Sequence, residues 1–291
     1  MVKQNRKDNG KKTHPYSYIL ILTAVFVAVA AVLYWFWAVP YRSALGYREQ
    51  LQLFQTTGAY FLSLMPRPGG MATYIGEFLT QFFNNYWLGA AVMSGMLTLF
   101  LLGCHKAIRR LTATMSPYAA LALAFTPLVA LLLFLGNPDV TMNFVTALTS
   151  VMWATVLYLR LDAGNTTAKR CIIRQAVMTL LFTTLLYGLC GPATIIFTLL
   201  AIVSGCRHTD LPATYKAIPA IVSVLWLAAN VWIWSPVLPY PLTYQLIGIG
   251  YMMMPDALYV GEIIVVTLCI LVPSMACLMA RLPQKNARPT A

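Results

Sequence analysis

The sequence predicts an all-α integral membrane protein with about eight transmembrane helices and two amphipathic helices on the outer face. Three observations carry that expectation. Hydrophobic residues make up 59% of the 291 and charged residues only 10%, against about 45–50% and 25% in an ordinary soluble domain, so the apolar surplus needs an apolar solvent. The apolar residues gather into runs of about 17–25, the length that crosses about 30 Å of hydrocarbon at about 1.5 Å per residue. The 20 Lys and Arg fall almost entirely in alternate connecting segments, the pattern that cytoplasmic loops carry.

In chain order the runs cover residues 18–37, 87–104, 118–135, 140–159, 176–190, 193–206, 218–234 and 257–280. The first follows a basic tail, 1–16, with Lys3, Arg6, Lys7, Lys11 and Lys12. Its length, its far-end Tyr34, Trp35 and Trp37, and the lack of a small-x-small cleavage site favour a retained signal anchor over a cleaved signal peptide. The fifth and sixth runs are short and share one apolar stretch, broken by Gly191-Pro192. Proline lacks the N–H and glycine supplies the turn, so the break reads as a tight hairpin. The polytopic domain is thus 17–280, with a short cytoplasmic tail at 281–291.

With the N-terminus inside, 17 of the 20 basic residues are cytoplasmic and only Arg42, Arg48 and Arg67 lie outside. A miscount by one span would swap the face of every later loop and destroy the bias, whereas two compensating miscounts would survive. The net charge of +12, which in a soluble chain would suggest nucleic acid, records orientation instead. The expected home is a bacterial inner membrane with both termini cytoplasmic, and the expected partners are the bilayer and either a polyprenyl-phosphate lipid or another membrane protein, with no nucleic acid.

Soluble-enzyme templates fail: there is no phosphate-cradling glycine loop, no H-E-x-x-H and no nucleophile elbow. The six cysteines lie in spans or at their ends without metal-ligand spacing and read as small packing residues; no metal site is expected, and no cofactor is indicated. His14, His105 and His208 sit at the inner edge, as expected of solvated or headgroup-level side chains. Among ionisable residues only Glu262 falls within a run. An intramembrane Glu is a functional candidate by default, with a snorkelling or hydrogen-bonded carboxyl as the alternative.

The outer segment 40–85 is the one long connection. Leu51, Phe54, Gly58, Phe61, Leu62 and Met65 recur at three- and four-residue spacing, predicting a helix over 43–65. Pro66-Arg67-Pro68-Gly69-Gly70 stops it. A second amphipathic stretch has Ile75, Phe78, Leu79, Phe82 and Phe83 apolar, with Thr73, Glu77, Gln81 and Asn84 on another face. Together they predict two interfacial helices lying on the outer leaflet and capping the bundle. Arg48 and Arg67 could bind a lipid phosphate, and Glu49 or Glu77 could act as a general base or hold a bridging cation; the alternative is a solvated helix face and a plain turn. Asp139, in Asn137-Pro138-Asp139, is expected to cap the fourth span. Tyr240, Tyr244 and Tyr251 fit an aromatic belt, and Tyr244 beside carboxylates would also suit a sugar ring.

E-Q-L-Q-L-F-x-x-T-x-x-Y-F-L from Glu49, then R-P-G-G-M-A-x-Y-I-G-x-F-L-T-Q-F-F ending at Phe83, resembles an uncharacterised family of bacterial multi-pass inner-membrane proteins. L-L-Y-G-L-C-G-P-A-T-I-I-F, Leu185 to Phe197, is similar to that family's second recurring segment. The resemblance implies a membrane bundle and no activity. Members continue into a long non-membrane region after the last span, so it also implies a short form or a fragment. A looser similarity, to the membrane module of C-type glycosyltransferases that use lipid-linked sugars, implies a catalytic acid near Glu49, although the usual paired acids are absent. Three function classes follow: an outer-face module handling a lipid-linked sugar or phosphate, an assembly subunit using Ala91-x-x-x-Gly95 and Ala120-x-x-x-Ala124 as contact sites, and a small-solute carrier.

Overall fold

The computed structural model describes residues 15–162, 168–206, 213–248 and 259–280; most of the two tails, His14, His208, Tyr251 and Asp256 lie outside them. Within them the chain forms α1 (Pro15–Ala38), α2 (Arg42–Leu51), α3 (Gly58–Leu64), α4 (Gly70–Thr80), α5 (Tyr86–Leu111), α6 (Pro117–Phe134), α7 (Met142–Leu161), α8 (Ala168–Cys190), α9 (Thr194–Gly205), α10 (Ala213–Trp234), α11 (Leu242–Ile247) and α12 (Tyr259–Met279), with no strand. Seven of the described stretches are long and apolar enough to cross a membrane, the fifth being the 33-residue stretch Ile173–Gly205. This is a multi-pass architecture.

Helix starts follow local chemistry. Asn85 accepts from the amides of Trp87 and Leu88 ahead of α5, and Ser116 accepts from Ala119 with Pro117 in the first turn of α6, both satisfying amides that lack an intrahelical partner. Buried Thr146, Thr149 and Thr155 in α7 donate to carbonyls four residues back, which satisfies each hydroxyl without an outside partner. α7 is the axis, in contact with α4, α5, α8 and α9.

The stretch Ile173–Gly205 folds in half. Gly191 takes φ 63°, the left-handed conformation that glycine adopts without steric cost. Phe182 of α8 then stacks on Phe197 of α9 at 5.6 Å, and a Cβ on Gly205 would lie 2.5 Å from Gln175 Nε2, so the two helices run antiparallel. Asp162, just past α7, ties the open end: its backbone carbonyl accepts from Arg174 Nη2 at 2.8 Å and its carboxylate accepts from Ser204 at 3.1 Å. The hairpin is short. α9 has 12 residues, about 18 Å of helix, and Cys190 at the tip shares a cavity with Ser150, two turns below the head of α7.

The predicted pair of surface-lying helices takes another form. The helix expected over 43–65 breaks between α2 and α3, because Gln52 turns into the bundle: its Oε1 accepts from the amide of Met142 and its Nε2 donates to Asn143 Oδ1 at 2.9 Å. Gln52, rather than Asp139, therefore satisfies the head of α7, while Asp139 accepts from the Tyr47 hydroxyl. α4 runs antiparallel along the first half of α7. Gly76 packs on Asn143, and Met71, Ala72 and Ile75 share a cavity with Ser150 and Ala154 further down α7. At its start, the Gly69 amide donates to Gly188 O of α8 at 2.9 Å. α4 thus fills the space that the short hairpin leaves beside α7.

Its protein-facing side is made of small residues. Gly70, Ala72, Thr73, Gly76 and Thr80 are buried, whereas Phe78 is 44% and Ile75 37% exposed. Inside an apolar solvent bulky apolar side chains gain nothing from turning inward, and small residues allow backbones to approach. The same rule sorts the two small-residue motifs. Ala120 and Ala124 are fully buried in the chain's own packing, while Ala91 and Gly95 face outward.

Candidate functional site

Two of the residues singled out in the sequence come together. Tyr60, in the first turn of α3, donates its hydroxyl to Glu77 Oε2 of α4. Arg67, in the turn between these helices, is exposed and near enough that its charge favours the ionised forms of both Glu77 and Tyr60. The turn itself depends on Gly69, at φ 76°. Phe54 anchors the cluster, its ring 5.1 Å from Tyr74, 5.5 Å from Phe78 and 6.0 Å from Tyr60; Phe61 meets Tyr74 edge-on at 5.0 Å.

Burial among these rings pushes the Glu77 carboxyl above the usual carboxylate range, with the Tyr60 hydrogen bond and the Arg67 charge pulling back. Burial and then the neighbouring carboxylate raise the Tyr60 phenol, which stays protonated as a donor. The cluster therefore combines a guanidinium, a phenol and a carboxyl that is easily protonated, beside aromatic faces. That set can take a phosphate on Arg67 and a sugar ring or isoprenoid against the rings.

The remaining sequence candidates lie elsewhere. Arg48 is only 1% exposed. Its Nε donates to Val140 O at 3.0 Å, and its Nη2 to Leu135 O at 2.6 Å and Asn137 O at 3.0 Å, with its guanidinium 5.4 Å from the Trp37 ring centroid. Its donors close the end of α6 and the link to α7, which leaves them turned away from any phosphate. Glu49 is half-buried on the same helix. Tyr244 is exposed on α11. Nothing in local spacing separates Arg48 from Arg67; partners at Leu135 to Val140 lie some 90 residues away in the chain, about 92 for Val140, and no local rule reaches that far.

Glu262, in the first turn of α12, is 6% exposed, and its Oε2 has no partner among the described residues. Its neighbour Gly261 packs on the Phe134 ring of α6, so the carboxyl is held between helices rather than snorkelling. A buried oxygen without a donor opposes folding by about 1–3 kcal/mol. Glu262→Leu is accordingly expected to raise the thermal midpoint of the purified protein in detergent; a fall would show that the carboxyl is satisfied by something bound there. His105 likewise differs from the solvated side chain expected: it is buried, edge-on to Phe26 at 5.9 Å.

No curated protein and no solved structure matches the chain, so the similarity to C-type glycosyltransferases gains no support from them. A family model does match, over residues 16–290, which takes in all seven apolar stretches and the Tyr60–Arg67–Glu77 cluster. The chain belongs to DUF6057, a family of unknown function.

Proposed function

We propose that this is a bacterial inner-membrane protein with cytoplasmic termini, in which α1, α5, α6, α7, α10 and α12 cross and the α8–α9 hairpin enters and returns on the cytoplasmic side, and that its outer face binds the headgroup of a lipid-linked phosphate or sugar. The orientation rests on the distribution of Lys and Arg. The helices alternate in direction, so Arg42 and Arg48 share one end of the bundle and Lys106, Arg109, Arg110, Arg160 and Arg174 share the other, while Arg67 lies deeper, in the α3–α4 turn beside the tip of the α8–α9 hairpin.

The observation that carries the binding reading is the Tyr60–Glu77 pair set against one aromatic cluster in the half of the bundle with lower basic charge, with the charge of Arg67 felt from the turn beneath it. The three come from two helices and the turn between them, and the α4 that holds them is itself fixed to α7 and α8. A polyprenyl phosphate suits this place, because its chain can stay in the bilayer while its phosphate reaches Arg67. The reading assigns binding; a transfer reaction would need a second substrate and a base that these residues do not by themselves define.

Binding of tritiated farnesyl phosphate to the protein in nanodiscs, followed by scintillation proximity, tests the reading. Protonation removes the Glu77 charge that repels phosphate, so binding is expected to strengthen as pH falls through the raised carboxyl range, and Glu77→Gln should flatten that dependence. Arg67→Gln should weaken binding about tenfold, the worth of one charge-assisted hydrogen bond. Binding indifferent to both substitutions would remove the proposal. Stability follows the same sign: a raised carboxyl favours the folded state at low pH and loses that contribution as pH rises.

A further inference from the structure

We propose that the opposite end of the bundle holds one anionic phospholipid in the groove between α1, α5 and α7. The groove has a volume of about 610 Å³. Ile19, Leu22 and Phe26 of α1 and Leu157 of α7 form apolar walls, while Lys106, Arg109 and Arg110 of α5 and Arg160 of α7 stand in the same lining, with no carboxylate among the lining residues. The groove is therefore amphipathic along its length, charged at the ends of α5 and α7 and apolar toward their middles.

Cations at the end of a helix have an ordinary explanation, since they complement its carbonyl terminus and an anionic membrane surface. Two observations go further. The cations are built around a recess rather than spread over a surface: Lys106 Nζ lies 4.6 Å from the Trp153 ring centroid, the indole being fixed by its donation to Leu99 O at 3.1 Å, and Arg109 is steadied by Met115 O. The second observation is His105, which lines the groove with a side chain only 7% exposed and a buried Nδ1 that has no partner among the described residues. The nitrogen is enclosed by protein, so what the groove meets is the flank of the ring, which packs edge-on against Phe26 of α1 at 5.9 Å and closes the floor of the recess beside the cations.

A phospholipid meets all of these demands at once. Its phosphate reaches the guanidinium groups, its glycerol or ester oxygens lie at the depth of His105, and one acyl chain runs along Phe26 and Leu157. A free phosphate would leave the apolar walls bare, and a zwitterionic headgroup would set an ammonium against four cations. The chain's own N-terminal residues cannot substitute, because 1–14 hold five Lys and Arg against one Asp.

Trp153 provides the probe. The full-length protein in bicelles is titrated with phosphatidylglycerol or phosphatidylcholine brominated on the acyl chain, and the Trp153 signal is isolated by subtracting the same titration of Trp153→Phe. Brominated phosphatidylglycerol is expected to quench Trp153 at a lower mole fraction than brominated phosphatidylcholine. The joint variant Arg109→Gln/Arg160→Gln should reduce that preference by about fivefold for each cation removed, and Arg109→Lys/Arg160→Lys, which keeps the charge, should retain it and shows that substitution at these positions leaves the fold intact. Equal quenching by the two lipids, or a preference untouched by the double Gln variant, overturns the proposal. So does displacement of the brominated lipid by soluble glycerol phosphate at millimolar concentration, which would make the groove a site for free anions.

Discussion

Replacing Arg48 by methionine should destabilise the protein more than any other single change to a polar side chain. The guanidinium closes the end of α6 by donating to Leu135, Asn137 and Val140, and without it these buried carbonyls lose their donor. Each such loss is worth about 1–3 kcal/mol, offset by the burial of a charge that methionine does not require. That offset is visible in the side chain itself: burial lowers its pKa to about 10, against the pull of Asp139. A net loss of about 3 kcal/mol is expected. Arg48→Lys should recover little, since an ammonium cannot fork across three carbonyls. The measurement is the thermal midpoint in detergent, by fluorescence-detected size exclusion; an unchanged midpoint in Arg48→Met would show that water or lipid replaces the guanidinium at no cost.

Gly76→Leu should be the most damaging change in an apolar segment. A Cβ at this position would lie 2.7 Å from both N and Cα of Asn143, and backbone at that distance can move only if α7 moves. Asn143 also accepts from Gln52, so the shift spreads to the link between α2 and α3. The expected result is a loss of more than about 3 kcal/mol, seen as loss of the monodisperse peak and faster proteolytic cutting between residues 52 and 69. Gly46→Ala is the control, because nothing lies within 4 Å of a Cβ there and alanine favours a helix by about 1 kcal/mol. Equal stability of Gly76→Leu and Gly46→Ala would mean that α4 does not hold to α7 in the membrane.

What the sequence shows about this fold follows from what each signal measures. Run length depends on hydrocarbon thickness, so each of the eight runs reappears as a helix, although α5 continues to Leu111 and α8 and α10 begin at Ala168 and Ala213, because a helix can extend past the hydrocarbon into polar sequence. Gly191-Pro192 marks the hairpin because both residues act on local backbone. The charge bias is silent on hairpin depth: a segment that enters and returns leaves both flanking loops on one side whether or not its tip emerges. The apolar stripe of the 40–85 segment predicts helices lying on the outer leaflet, and a stripe by itself does not encode how deep such helices sit or what packs on their other side. In lipid the small residues Gly70, Ala72, Thr73 and Gly76 were the informative ones, and Gln52 broke the helix through partners about 90 residues away in the chain. Of the candidate site, Glu77 and Arg67 can be named from residue type, but nothing in the sequence singles out Tyr60, whose partner Glu77 is met only when α3 and α4 fold against each other.

The contact between Gly69 and the last turn of α8 also orders the assembly of the protein in time. A ribosome delivers the chain from its N-terminus, so α3 and α4 leave it before α7 and α8, the helices they pack against, exist. Until then this segment waits at the end of the bundle where α1 stops, its glycine-rich side uncovered. The α8–α9 hairpin, whose second arm is only 12 residues, gains its support beside α7 only when α4 swings in above its tip. An early segment therefore completes its packing only after a late one has been delivered.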